Sequence, residues 1–175
     1  MTRRDLETLL LTLESTPALL ARAAASFSKG QVRTRPCQGG FSFVENVWHL
    51  ADLEREAYGR RIARLLSETE PVLENFDGER MARERAYQER DLERGIALFT
   101  RAREANLAAL RRVSAEQWER AGSQEGVGRV TLADLPRMMA EHDRTHGDEI
   151  ADLIALVRGA PRSNSQRPNG GSAVA

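Results

Sequence analysis

The residues best suited to do chemistry in this chain are its three histidines, His49, His142 and His146. His142 and His146 stand four residues apart in EHDRTHGDEI, residues 141–150. Residues at that spacing are neighbours on a helix, so two imidazoles can converge on one ion. At about 100° per residue, Leu135, Met138, Met139, His142, His146, Ile150, Leu153 and Val157 share one helical face. The plain alternative is two satisfied core histidines. His49 lies in VENVWHLADLERE, where the main apolar stripe is Val44, Val47, Trp48, Ala51, Tyr58, Ile62 and Leu65. It falls off that stripe, beside Leu53, so periodicity alone does not select it. Three histidines on two helices would nonetheless leave a coordination position open, the arrangement a catalytic ion requires.

Other polar residues fall on apolar faces. H-D-x-x-H resembles the zincin H-E-x-x-H motif, with Asp143 in the place of the glutamate base and a shorter reach. Arg103 and Asn106 share the inner face of the third long helix. An arginine there can bind the carboxylate or thiol group of a substrate or cofactor, or its stem can pack while its head reaches solvent. Arg55 invites the same two readings. Gly59, Gly95 and Gly147 fall inside predicted helices, and Gly147 beside His146 suggests close helix approach or ligand access.

The elements that must position these residues are helical. A first helix is expected over Thr2 to Glu14, and Thr16-Pro17 then reads as an N-cap with proline at the first position of a second, ending near Ser28. SKGQVRTRPCQGG reads as an irregular loop. Ser42-Phe43-Val44-Glu45 forms a capping box opening a helix to about Ser67, and Pro71 to Gly78 is a second loop. A third helix runs from Glu79 or Asp91 to Val113, with a break near Asp91. Ser114-Ala115-Glu116-Gln117 is a further capping-box pattern, opening a turn that carries Trp118. The glycine-rich GSQEGVGR reads as a loop, after which Thr131 is a candidate cap. Pro136 moves the effective start of the last helix toward Asp134, and the helix continues to about Arg158. These elements predict an all-α four-helix bundle with long connections and short extra helical turns. The domain is expected over residues 1–158, with residues 159–175, rich in proline, glycine, serine and asparagine, as a disordered tail.

Composition narrows the function. The 175 residues make one domain able to bury a core, and 26 acidic residues balance 26 basic ones. A neutral chain argues against nucleic-acid or membrane-surface binding. Nearly all the bases are arginines interleaved with glutamates, and Lys29 is the one lysine. Cys37 is the single cysteine, read as an incidental thiol in a reducing cytoplasm. Glu7 and Glu14 interrupt any signal-peptide core, and no apolar segment approaches the ~20 residues that cross a bilayer. A soluble cytoplasmic protein is expected.

WHLADLERE followed by TLADLPRMMAEHDRTHGDEI resembles the DinB/YfiT-like superfamily of metalloenzymes, and the likeness spans roughly residues 17–157. Phe76-Asp77, Tyr87, Phe99, Arg103, Trp118 and Thr131-Leu132 follow in the matching order. The resemblance implies a four-helix bundle in which His49, His142 and His146 bind nickel, zinc or a similar divalent ion. It also implies a small-molecule substrate, a homodimer, and an activity among thiol-dependent S-transferases, isomerases and hydrolases. In the transferase version a low-molecular-weight thiol is a cofactor, and Arg103, Asn106 or the 122–130 loop orients the substrate. A metal-binding stress or interaction protein without catalysis is the competing class. The chain departs from relatives in having Phe41 where tryptophan is common, no histidine in GSQEGVGR, and Glu149 where glutamine is common. Glu149 falls on the histidine face as a fourth ligand, an acceptor that orients an imidazole, or a general base. Otherwise it reaches solvent.

Overall fold

A computed structural model describes residues 3–36 and 40–159. Cys37 and the tail from residue 160 onward, both subjects of expectations above, lie outside the described residues. Four long helical rods form the bundle. They are α1 (Arg3–Ala24), a continuous rod made of α2 (Phe43–Leu53), a π-helical turn (Glu54–Tyr58) and α3 (Gly59–Ser67), then α5 (Leu92–Leu110) and α6 (Leu135–Val157). A short α4 (Gly78–Glu84) precedes α5. The main pairs are α2 with α5 and α1 with α6, with α1 also against α5 and α2 against α6. The second and third rods thus pair with each other and the first rod pairs with the last.

Local chemistry explains most helix ends. Ser42 accepts from the Glu45 backbone while the Glu45 carboxylate takes the Ser42 N–H, the predicted capping box. Asp77 and Asp91 cap α4 and α5 by accepting from Arg80 and Arg94 backbone N–H groups. The break expected near Asp91 is present: Ala86 turns left-handed (φ 48°) and Tyr87–Glu89 make a 3-10 turn. Ser114 and Gln117 exchange hydrogen bonds before the 3-10 turn that carries Trp118. α6 begins at Leu135, as Pro136 requires. Thr131 does not cap it. Its hydroxyl and N–H both donate to Asp134.

Two expectations are corrected. Thr16-Pro17 opens no new helix, because α1 runs through Pro17 without interruption. Proline lacks the N–H that would bond the carbonyl four residues back, at Leu13. Arg103 donates to that carbonyl instead, at 3.0 Å. The second correction concerns GSQEGVGR, which is a hairpin of β2 (Ala121–Gln124) and β3 (Gly128–Thr131). β1 (Val72–Leu73) adds in parallel to β2, making a small three-stranded sheet beside the helices. The turn needs positive φ at Gly126 and Gly128, which glycine supplies freely. Gly95 lets α5 approach α2 closely, since a Cβ there would meet Val47 at 2.9 Å.

The core runs the length of the bundle. Leu13, Leu53, Leu65, Leu110, Leu132 and Leu135 fill one end, and Phe43, Val47, Phe99 and Leu153 the other. Among the described residues, no helix is long and apolar enough to cross a membrane.

Candidate metal centre

The three histidines meet between α2 and α6. His49 and His146 are buried and His142 is partly so. One ring nitrogen from each lies within 4.8 Å of the others. The Nε2 atoms of His49 and His142 are 3.4 Å apart. Two nitrogens bound tetrahedrally to one zinc at about 2.05 Å stand about 3.3 Å apart, so this pair is spaced for an ion. The ring centroids lie 4.5 to 5.3 Å from one another, tilted rather than stacked.

The electrostatics favour neutral rings. Burial, then the His146 and His142 rings, push His49 well below the ordinary imidazole value. Burial first, and His146 second, bring His142 down to about 3. Neutral imidazoles are what a cation requires as ligands. The outer nitrogens of these two rings, His49 Nδ1 and His142 Nδ1, are buried without a hydrogen-bond partner among the described residues. Unsatisfied buried nitrogens oppose folding, so hydrogen bonding within the fold does not account for these two rings.

His146 differs. Its Nδ1 lies 2.6 Å from Asn46 Oδ1 and 3.0 Å from Glu149 Oε2. Glu149 thus approaches the same ring nitrogen as Asn46, and among the described residues no carboxylate joins the three ligand atoms. Phe41 and Phe76 flank His49, with centroids 5.6 and 5.8 Å from it, and Tyr58 stands edge-on to His142 at 6.5 Å. These rings keep the surroundings apolar. Gly78 seats His49: a Cβ there would fall on the imidazole, so the start of α4 closes over the ring only with glycine. Gly147, in contrast, has open space around it and provides no close approach.

Arg103, Asn106 and Asp143 form a separate buried network beside the cluster. The Arg103 guanidinium is 1 % exposed and does not reach solvent. It donates to both oxygens of Asp143 at 2.7 and 2.9 Å and to Glu54 Oε2 at 2.9 Å. Asn106 donates to the backbone and side-chain oxygens of Glu54. Thr16 donates to Asp143 Oδ2 at 2.7 Å. Burial works against the Arg103 charge, but the Asp143 hydrogen bond and Glu54 outweigh it and hold the group protonated. The network ties α1, the π turn, α5 and α6 together at the helix that carries His142.

Three residues around the cluster carry no sequence signal of their own. Asn46 is hidden inside a capping-box segment, and Gly78 ends what reads as a loop. Arg61 is 2 % exposed, donates to the Glu74 carbonyl at 2.8 Å and lies 5.7 Å from the Tyr58 ring centroid. Burial lowers its pKa, and its charge helps to hold His142 neutral.

The fold has known counterparts. YfiT from Bacillus subtilis, described as a probable metal-dependent hydrolase with an unusual four-helix bundle topology, superposes with a TM-score of 0.83 at 22% identity. The alignment covers 92% of this chain and 91% of that one. A DinB-like protein from Bacillus subtilis superposes with a TM-score of 0.58 at 16% identity, covering 92% of this chain and 99% of that one. A comparison with curated protein sequences finds no significant match. Residues 12–150, most of the chain, match the signature of the DinB superfamily, and the chain belongs to that superfamily.

Proposed function

We propose that the protein is a metal-dependent enzyme whose divalent ion is held by His49, His142 and His146. The observation that carries this is the convergence of three imidazoles, two of them held neutral. Nickel and zinc both suit such a nitrogen donor set. The ion would supply Lewis acidity, lowering the pKa of water or a thiol and polarising a substrate carbonyl. Three protein ligands leave a position open for a small-molecule substrate.

The chain's own residues define the rest of the chemistry. Glu149 and Asn46 both act on His146 at Nδ1, which orients the ring. Asp143 is committed to Arg103 and Thr16, and in this reading Arg103 and Asn106 hold helices in place rather than a cofactor. Among the described residues, no carboxylate then joins the three ligand atoms to take a proton from an attacking water. A thiol needs less help, since its ordinary pKa is already about 8.5. The geometry thus favours a low-molecular-weight thiol as nucleophile in an S-transferase. Hydrolysis is the second reading, supported by the fold shared with YfiT.

Metal analysis of protein purified without an affinity tag tests the site, with each histidine replaced by alanine in turn. Stoichiometric metal that each replacement removes is the expected result. Metal content unchanged in all three variants would overturn the reading. Consumption of an electrophile that depends on added thiol separates transferase from hydrolase. Bound metal with neither activity across a broad panel would indicate a non-catalytic metal-binding protein.

A further inference from the structure

Asn46 is fully buried in the first turn of α2. Its Nδ2 donates to the Ser42 carbonyl at 3.2 Å and reaches the Phe41 carbonyl at 3.5 Å. Carbonyl oxygens only accept, so the amide nitrogen must face them and Oδ1 must face the other way. On that side, 2.6 Å from Oδ1, is Nδ1 of His146. An amide oxygen cannot donate, so the imidazole does, and an imidazole with a single N–H carries it on Nδ1 here. The lone pair is left on Nε2, the nitrogen available to the cluster.

Glu149 approaches the same Nδ1 at 3.0 Å from a side chain that is 31% exposed. It is a longer contact from a more exposed group. Asn46 is held at its amide nitrogen by backbone carbonyls and brings no charge into the interior. Ligand histidines are commonly fixed in tautomer and plane by an acceptor at the other nitrogen, and losing it weakens metal binding tenfold to a hundredfold.

We propose that Asn46 is the positioning residue of this site. It holds His146 as the Nδ1–H tautomer and fixes the ring so that Nε2 faces His49 and His142. The use of this arrangement rests on the metal-binding reading above. The tautomer does not, and can be measured without metal.

Long-range nitrogen–proton correlation spectra of metal-free protein with labelled histidine, near neutral pH, report the tautomer. His146 with its proton on Nδ1 is expected, and a predominant Nε2–H form would overturn the proposal with no variant needed. Zinc dissociation constants, obtained by chelator competition, are then compared for wild type, Asn46→Leu, Asn46→Asp and Glu149→Ala, with helical content checked by circular dichroism. Asn46→Leu should weaken zinc binding tenfold to a hundredfold. Asn46→Asp keeps an acceptor but loses the amide donor to Ser42 and adds a charge, so it should fall between wild type and Asn46→Leu, and Glu149→Ala should lose less than Asn46→Leu. A folded Asn46→Leu protein that binds zinc like wild type would overturn the proposal. So would an equal loss in folded Asn46→Asp, or a larger one in Glu149→Ala. Wild-type protein that takes up no zinc would overturn the metal reading instead, while the spectra still decide the tautomer.

Discussion

Arg103 donates a hydrogen bond to the backbone carbonyl of Leu13, 3.0 Å away, and Pro17 is what leaves that carbonyl without its helical donor. The same guanidinium pairs with both Glu54 and Asp143, each buried or nearly so. One side chain therefore repairs a helix, closes a buried charge network and fixes the part of α6 that carries His142.

Removing this arginine should be costly. Arg103→Met leaves two carboxylates in the interior with no cation, and breaking a buried pair in this way costs about 3–5 kcal/mol. Arg103→Lys keeps the charge but loses the fork that spans Asp143, Glu54 and Leu13, so it should fall between wild type and Arg103→Met. Denaturant unfolding of the metal-free protein measures both. A loss below about 1 kcal/mol in Arg103→Met, the scale of an exposed pair, would mean the network holds nothing together.

The cluster should show the opposite balance. His142 has a buried Nδ1 with no partner among the described residues, so its imidazole adds little to folding. His142→Ala should leave metal-free stability within about 1–2 kcal/mol of wild type, the loss expected from its packing contacts. It should also abolish tight metal binding. Paired unfolding and metal-uptake measurements check this, and a large stability loss without metal would point to a packing role.

These two sites differ in how much the sequence reveals. α6 has a solvent face, so His142 and His146 stand out on its apolar side. α2 has none, since every residue from Phe43 to Leu53 is buried. A stripe drawn on such a helix marks only one of its packed faces, which is why His49 falls off it by angle and yet lies at the site. Capping boxes and breaks were legible because they depend on neighbours in sequence. Pro17 misleads for the converse reason: its remedy, Arg103, is far away in the chain. The hairpin of β2 and β3 escapes notice because its short strands lack a run of β-branched residues and its glycines read equally well as a loop.

Gly78 offers a test of how tightly His49 is seated. Alanine is the better helix former by about 1 kcal/mol, so Gly78→Ala should not weaken α4 on propensity grounds. Its Cβ would nevertheless collide with the His49 imidazole. The expected outcome is a folded protein with reduced metal affinity, read by chelator competition. Wild-type affinity would show that the start of α4 shifts freely away from the ring.

The Glu56–Arg85 pair sets a prediction in pH. The Arg85 hydrogen bond, acting against burial and supported by Arg55, pulls the Glu56 carboxyl from 4.5 to about 2. Arg85 reaches both Glu56 oxygens at 2.8 Å and also Asp52 at 2.6 Å. The folded-state pKa is depressed, so the unfolded chain binds this proton first as the solution is acidified. The contribution to stability is therefore complete above pH 4.5 and is lost as pH falls from there toward about 2. Arg85→Gln removes the main cause of the shift. Unfolding midpoints at neutral pH and near pH 3 should show the variant clearly less stable than wild type at the higher pH, with the gap narrowing at the lower. Added salt should shrink the neutral-pH gap, because the pair is partly solvent-exposed and screened. A gap of equal size at both pH values would assign the role of Arg85 to packing and not to its charge.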